Sequence, residues 1–130
     1  MIVVDASAIL SIVLKEADAE VFETALIAAG EGIMSPVNYW EVLVRAWSEF
    51  GAPGHEAAKG VMDRLCVTVQ DITSADAEAA AKAFQRFGKG TGGKLNLGDC
   101  FAYALAHREG EGLLFKGDDF PKTDVKSALA

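Results

Sequence analysis

The sequence predicts an α/β fold built on a parallel sheet of four to five short strands, with helices covering both faces. Three observations predict it. Short apolar, β-branched runs recur along the chain, and the segments between them carry apolar residues at helical spacing. No two-residue hairpin signal joins one run to the next. Strands that alternate with helices and lack tight turns must run parallel, with the crossover helices packed on the sheet.

Each element follows from its own residues. IVV, residues 2–4, is a β-branched run that stops at Asp5, as a strand buried on both faces does. Residues 6–15 bring Ala8, Ile9, Ile12 and Val13 to one helical face, and residues 18–29 do the same with Val21, Phe22, Ala25 and Leu26. Gly30 and Gly32 break that helix, GIMS at 32–35 reads as a second strand, and Pro36 opens the next helix in its first turn. The third helix, 36–50, sets Trp40, Leu43, Val44 and Trp47 along one stripe until GAPG at 51–54 ends it. A helix over about 55–65 and a strand at CVTVQ, 66–70, come next. TSADAEAAAKAFQRF, 73–87, is an alanine-rich helix capped by Thr73 or Ser74, followed by a glycine-rich loop at 88–93. A helix beginning near Asp99, a strand at GLLF and a fifth edge strand at TDV, residues 123–125, complete the order.

A length of 130 residues predicts one domain spanning 1–130, with an ordinary globular composition of 51% hydrophobic and 24% charged residues. No basic leader precedes a long apolar run, and no stretch approaches the roughly 18 apolar residues that span a bilayer, so a cytoplasmic protein without membrane contact is expected. Cys66 and Cys100 sit in apolar segments at the wrong number and spacing for a disulfide framework or a zinc site; both read as buried free thiols. The net charge of −7 argues against nucleic-acid binding by bulk electrostatics. The charge is segregated, however. Residues 1–80 hold 4 Lys/Arg against 13 Asp/Glu, a balance of −9, whereas residues 81–130 hold 8 against 6, a balance of +2.

Five carboxylates stand at informative places. Asp5 ends the first strand, Asp99 opens a helix, Asp118 and Asp119 follow the strand GLLF, and Glu41 lies within an apolar helix. Each has an ordinary structural reading: a helix cap for Asp5 and Asp99, turn formation for the Asp118/Asp119 pair, and a surface pair with Arg45 for Glu41. Together those readings weaken, because in open α/β sheets the strand ends and helix N-termini on one edge converge. Carboxylates crowded there raise one another's pKa and destabilise the fold unless a cation neutralises them. Oxygen-only donors select a hard ion, Mg²⁺ or Mn²⁺. Such an ion suits a phosphodiester substrate, and the basic segments 82–94 and 116–122 are placed to track an RNA backbone beside it.

VVDASAIL, the Glu of NYWEVLV, LNLGDCFAYALA and LLFKGDDFPKTDV together resemble the PIN-domain ribonucleases, specifically VapC-type toxins of type II toxin–antitoxin systems, over essentially the whole chain. The resemblance implies a three-layer α/β/α fold, a Mg²⁺- or Mn²⁺-dependent endoribonuclease, a homodimer and a small cognate antitoxin. Carried residue by residue, its acidic set is Asp5, Glu41 and Asp99, with a fourth acid from Asp118 or Asp119. Asp119 is preferred because it directly precedes Phe120, as the family's late acid does. Asp5, Asp99 and Glu41 are the expected metal ligands, and Ser7 fits the family's Asp-x-Ser/Thr pattern as a hydroxyl beside a metal-held water or phosphate. Asp5 and Asp99 would bind the ion directly, with Glu41 and the fourth acid orienting or deprotonating the attacking water, leaving a 3′-hydroxyl and a 5′-phosphate.

Three rival readings meet less of the sequence. A haloacid-dehalogenase phosphatase needs a second aspartate where Ser7 stands. A receiver-type signalling domain needs an acid pair after the first strand and matches well only at Lys116. A catalytically inactive PIN-like binding module would not need all of its acids. The helix pair between 6 and 29, with Tyr39, Trp40 and Trp47 nearby, is read mainly as core and secondarily as a groove for an antitoxin tail, while His55 and His107 are expected on helix surfaces outside the site.

Overall fold

The structure, a computed structural model, describes residues 1–129. Among them, four strands form one parallel sheet: β1 (Ile2–Val4), β2 (Gly32–Met34), β3 (Val67–Val69) and β4 (Leu113–Leu114), in the order β3-β2-β1-β4. Six helices connect and cover them: α1 (Ala6–Val13), α2 (Ala19–Ala29), α3 (Pro36–Phe50), α4 (Ala52–Arg64), α5 (Ser74–Phe87) and α6 (Leu97–Glu109). The expected α/β/α sandwich is therefore present, with four strands.

Strand alternation assigns the two cores. Val4, Met34 and Leu114 point into the layer of α1 to α4, whereas their neighbours Val3, Ile33 and Leu113 point into the layer of α5 and α6. Burial on both faces explains why these strands read as unbroken apolar runs. Registers Val3↔Ile33 and Val4↔Leu114 align the carboxyl ends of β1, β2 and β4, so Asp5, Ser35 and the segment after Leu114 leave the sheet on one edge.

Five local expectations are corrected. Residues 123–125 form no strand: Val125 N–H donates to Thr123 Oγ1 and Asp124 takes the Tyr103 hydroxyl, so this backbone turns, and β4 instead makes a single bridge from Leu113 to Ser127. The helix expected from 55 begins at Ala52, with Pro53 in its first turn. Cys66 is exposed in the α4–β3 turn at φ +56, and only Cys100 is buried. The α3 stripe has the right period and the wrong phase. Asn38, Val42 and Ala46 face the core, while Trp40 and Trp47 are 63% and 57% exposed and Val44 is exposed beside them. Likewise Val21 on α2 faces solvent while Phe22 and Leu26 are buried.

Candidate active site

The shared strand edge opens into a cleft of about 380 Å³ whose lining includes Asp5, Glu41, Asp99 and Asp119. Asp5 arrives as the N-cap of α1: its backbone is extended, and its Oδ2 accepts from Ser7 N at 3.0 Å and from Ser7 Oγ at 2.6 Å. Ser7 Oγ in turn accepts from Lys116 N at 2.9 Å, tying the segment after β4 to the start of α1. Ser7 thus works as a cap partner and as a strut between two walls of the cleft.

Asp99 is both a cap and a cleft residue. Asn96 is the N-cap of α6: its side chain accepts from Asp99 N at 2.9 Å, and Asp99 Oδ2 accepts from Asn96 N at 3.1 Å, closing a capping box. One carboxylate oxygen is enough for that box. Glu41 reaches the same cleft from the second turn of α3, where Oε1 accepts from Asn38 Nδ2 at 2.8 Å; the surface pair with Arg45, its ordinary alternative, is absent among the described ion pairs.

The consecutive aspartates diverge. Asp119 lines the cleft, whereas Asp118 is largely exposed and holds Lys94 Nζ at 2.7 Å. The structure therefore brings together Asp5, Glu41, Asp99, Asp119 and Ser7 and leaves Asp118 outside. Sequence reading missed Asn38 and Asn96, which hold Glu41 and Asp99 in place; an Asn three residues before each acid was the available signal.

Burial and like charge set the electrostatics. Asp5 and Asp99 are nearly inaccessible. Burial pushes the Asp5 carboxyl up, the Ser7 bonds pull it down, and the charge of Asp119 raises it again. Asp99 is pushed up to about 7, first by burial and then, against the Asn96 bond, by the charges of Asp5 and Asp119. Glu41 is also raised, by burial and then by Asp5, with the Asn38 bond opposing. No Lys, Arg or His among the described residues pairs with any of these four acids. Lys116 lines the cleft, but its ammonium is drawn to Glu16 at 3.3 Å and Asp18 at 3.1 Å.

Buried acids without an internal counter-charge suit a divalent cation, and their all-oxygen donor set suits a hard one. Among the described residues no three Asp, Glu, His or Cys side chains stand close enough together to hold a metal ion as they are placed. Uncompensated carboxylates repel one another, so the fit rests on donor chemistry and burial. A groove of about 440 Å³ between α5 and α6 is floored by alanines and offers no comparable cluster of acids.

Comparison with known proteins then decides the family, since residues 2–126 match the profile of the PIN domain. The chain belongs to the PIN domain family. It is 40% identical over 124 residues to Ribonuclease VapC of Mycolicibacterium smegmatis, covering 95% of this chain and 96% of that one. It is 39% identical over 124 residues to Ribonuclease VapC30 of Mycobacterium tuberculosis, covering 95% of each chain. Within the PIN domain family the chain thus stands among the VapC proteins. The fold agrees. The crystal structure of Mycobacterium tuberculosis VapC20, a sarcin-ricin loop cleaving toxin, superposes with a TM-score of 0.76 at 18% identity over 96% of both chains. A toxin–antitoxin complex from Klebsiella pneumoniae gives 0.69 at 20% identity, over 95% of this chain and 93% of that one.

Proposed function

We propose that this PIN-domain chain is a Mg²⁺- or Mn²⁺-dependent endoribonuclease and the toxin of a VapC-type toxin–antitoxin pair. The observation that carries the reading is the convergence of Asp5, Glu41, Asp99 and Asp119 in one cleft with no basic side chain paired to any of them. The ribonuclease names of relatives at about 40% identity support it.

Asp5, Asp99 and Glu41 are the residues that would hold the ion, which supplies charge neutralisation at a phosphodiester and a more acidic water. The chain's own groups do the rest. Asp5 and Asp99 are fixed by their caps and present the remaining oxygens to the cleft at no further ordering cost. Glu41 and Asp119 orient the attacking water and accept its proton as oxygen bonds to phosphorus. The P–O3′ bond breaks in line, and the departing oxygen takes a proton from solvent, leaving a 3′-hydroxyl and a 5′-phosphate. Ser7 holds Asp5 and the Lys116 backbone in register, and it is the polar group beside Asp5 that would meet the substrate or its water.

An antitoxin partner follows from VapC membership, and the exposed apolar side chains Trp40, Val44 and Trp47 of α3 offer surface for it or for a second copy in a homodimer. No described helix is long and apolar enough to cross a membrane, which suits the cytoplasmic site of action proposed here. Incubating the purified chain with single-stranded RNA in Mn²⁺, in Mg²⁺ and in EDTA tests the reading. Cleavage in either metal, abolished by EDTA and by Asp99→Asn with the fold intact, is expected. Absence of cleavage by the wild type in both metals would favour a PIN-like module that only binds its partner.

A further inference from the structure

Asn38 is fully buried in the first turn of α3, at the head of the stripe that continues as Val42 and Ala46. Its neighbours on that stripe are apolar, and an apolar residue would fill the position without burying an amide. The amide makes two specific contacts. Nδ2 donates to Glu41 Oε1 at 2.8 Å and to the Gly98 carbonyl oxygen, 60 residues away, at 3.0 Å. Both partners are acceptors, so the amide orientation is fixed: turned over, its oxygen would face two oxygens. Oδ1 is buried and accepts no hydrogen bond from the described residues. The site thus keeps a polar group that is only half satisfied.

Gly98 completes the contact from the other side. A Cβ there would stand 2.1 Å from Glu41 Oε1 and 2.7 Å from Oε2, so the carboxylate lies directly against the α6 backbone, one residue before Asp99. We infer that Asn38 is a positioning residue for the hydrolytic site, its amide locking the Glu41 carboxylate to the N-terminus of α6 so that Glu41 and Asp99 act in one register. The role rests on the hydrolase reading above. The Asn38 amide hydrogens are spent on Glu41 and Gly98, so in this assignment it acts through Glu41, as the outer partners that orient ligands do.

Asn38→Leu and Gly98→Ala test this from opposite sides. Asn38→Leu removes the donor at similar volume, and Gly98→Ala leaves the donor while displacing its acceptor; if the first variant does not fold, the second decides. In crystal structures of the metal-free proteins, Glu41 is expected to leave residue 98. Affinity for Mn²⁺ alone and kcat on RNA are expected to fall about 10- to 100-fold, with KM little changed. In a Glu41→Ala background, Asn38→Leu is expected to add almost nothing to the loss of Mn²⁺ affinity. Glu41 unmoved in the variant structure, Mn²⁺ affinity and kcat within about twofold of wild type, or additive losses in the double variant would overturn the assignment. A wild type that cuts no RNA would sink the ribonuclease reading alone, because the Glu41 position is judged without activity.

Discussion

Lys94 Nζ stands 2.7 Å from Asp118 Oδ2, outside the cleft that Asp119 lines. Two adjacent aspartates on a turn are thereby divided, one toward solvent and one toward Asp5 and Asp99. Asp118→Asn removes a solvent-exposed ion pair, a kind of contact that contributes little to stability. RNA cleavage by that variant is expected to stay within about threefold of wild type, while Asp119→Asn is expected to lose at least about 100-fold, the scale of a positioned proton acceptor. Equal losses in the two variants, measured as kcat/KM in Mn²⁺, would mean that the turn as a whole matters and that the division does not.

The Ser7 hydroxyl donates to Asp5 at 2.6 Å and accepts from Lys116 N at 2.9 Å. Ser7→Ala takes away a hydrogen bond to a charged group and leaves a buried carboxylate less well held, which costs on the order of 1–3 kcal/mol. It also removes an influence that lowers the Asp5 pKa, so Asp5 takes up a proton more readily. Urea unfolding is expected to register the loss, with Ser7→Thr recovering most of it because the hydroxyl is kept. Identical stability of Ala and Thr variants would place the hydroxyl outside the cap network.

Much of this arrangement was legible in the chain. Asp5 was readable because a β-branched run stops at it, and Asp99 because an apolar helix opens beside it; parallel strands then require both to share an edge. What the sequence left open depended on partners distant along the chain. Asp118 meets Lys94, 24 residues before it, while Asp119 faces the cleft, a division that no local pattern reveals. Asn38 gains its meaning from Gly98, 60 residues on. In α3 two apolar stripes compete at the same period, and the one with the larger side chains is the more conspicuous, although the smaller Val42 and Ala46 fit against α4 and α1. The final turn escaped because Thr123 and Val125 are β-formers, while Asp124 between them disfavours a strand and the polar groups are satisfied locally and through Tyr103.

The close fit of α3 against α4 leaves no room for a side chain at Gly54. A Cβ on Gly54 would lie 2.2 Å from the Ala46 carbonyl oxygen and 2.9 Å from its carbon, a backbone contact that no rotamer change relieves. Gly54→Ala is expected to destabilise the fold by about 1–3 kcal/mol despite the better helix propensity of alanine. Thermal unfolding should fall by several degrees. Gly60, on the same helix with open space around its Cβ position, supplies the control: Gly60→Ala is expected to be neutral or stabilising. A stabilised Gly54→Ala would show that the two helices slide apart at small cost.

The raised Asp99 carboxyl makes the stability of the metal-free protein fall as pH rises. In the unfolded chain Asp99 ionises near its ordinary 3.8, and in the fold only at about 7. Between those values the folded state keeps a proton that the unfolded state has released, so unfolding free energy decreases with pH across this window and the penalty is complete above it. Asp5 and Glu41 are raised as well and act in the same direction. A tenfold difference in proton affinity between folded and unfolded chain is worth about 1.4 kcal/mol, enough to move Tm by a few degrees. In EDTA, Tm is therefore expected to climb as pH is lowered from 8 to about 5.5, and Asp99→Asn, which can still accept the Asn96 N–H in the capping box, should weaken that climb and melt above wild type at pH 8. Saturating Mn²⁺ should raise Tm most at pH 8, where the carboxylates are charged, and least at 5.5, where protons compete for them. A metal-free Tm that is flat or falls on acidification over this range would mean that these carboxyls ionise normally in the fold, and the electrostatic case for a cation among them would be lost with it.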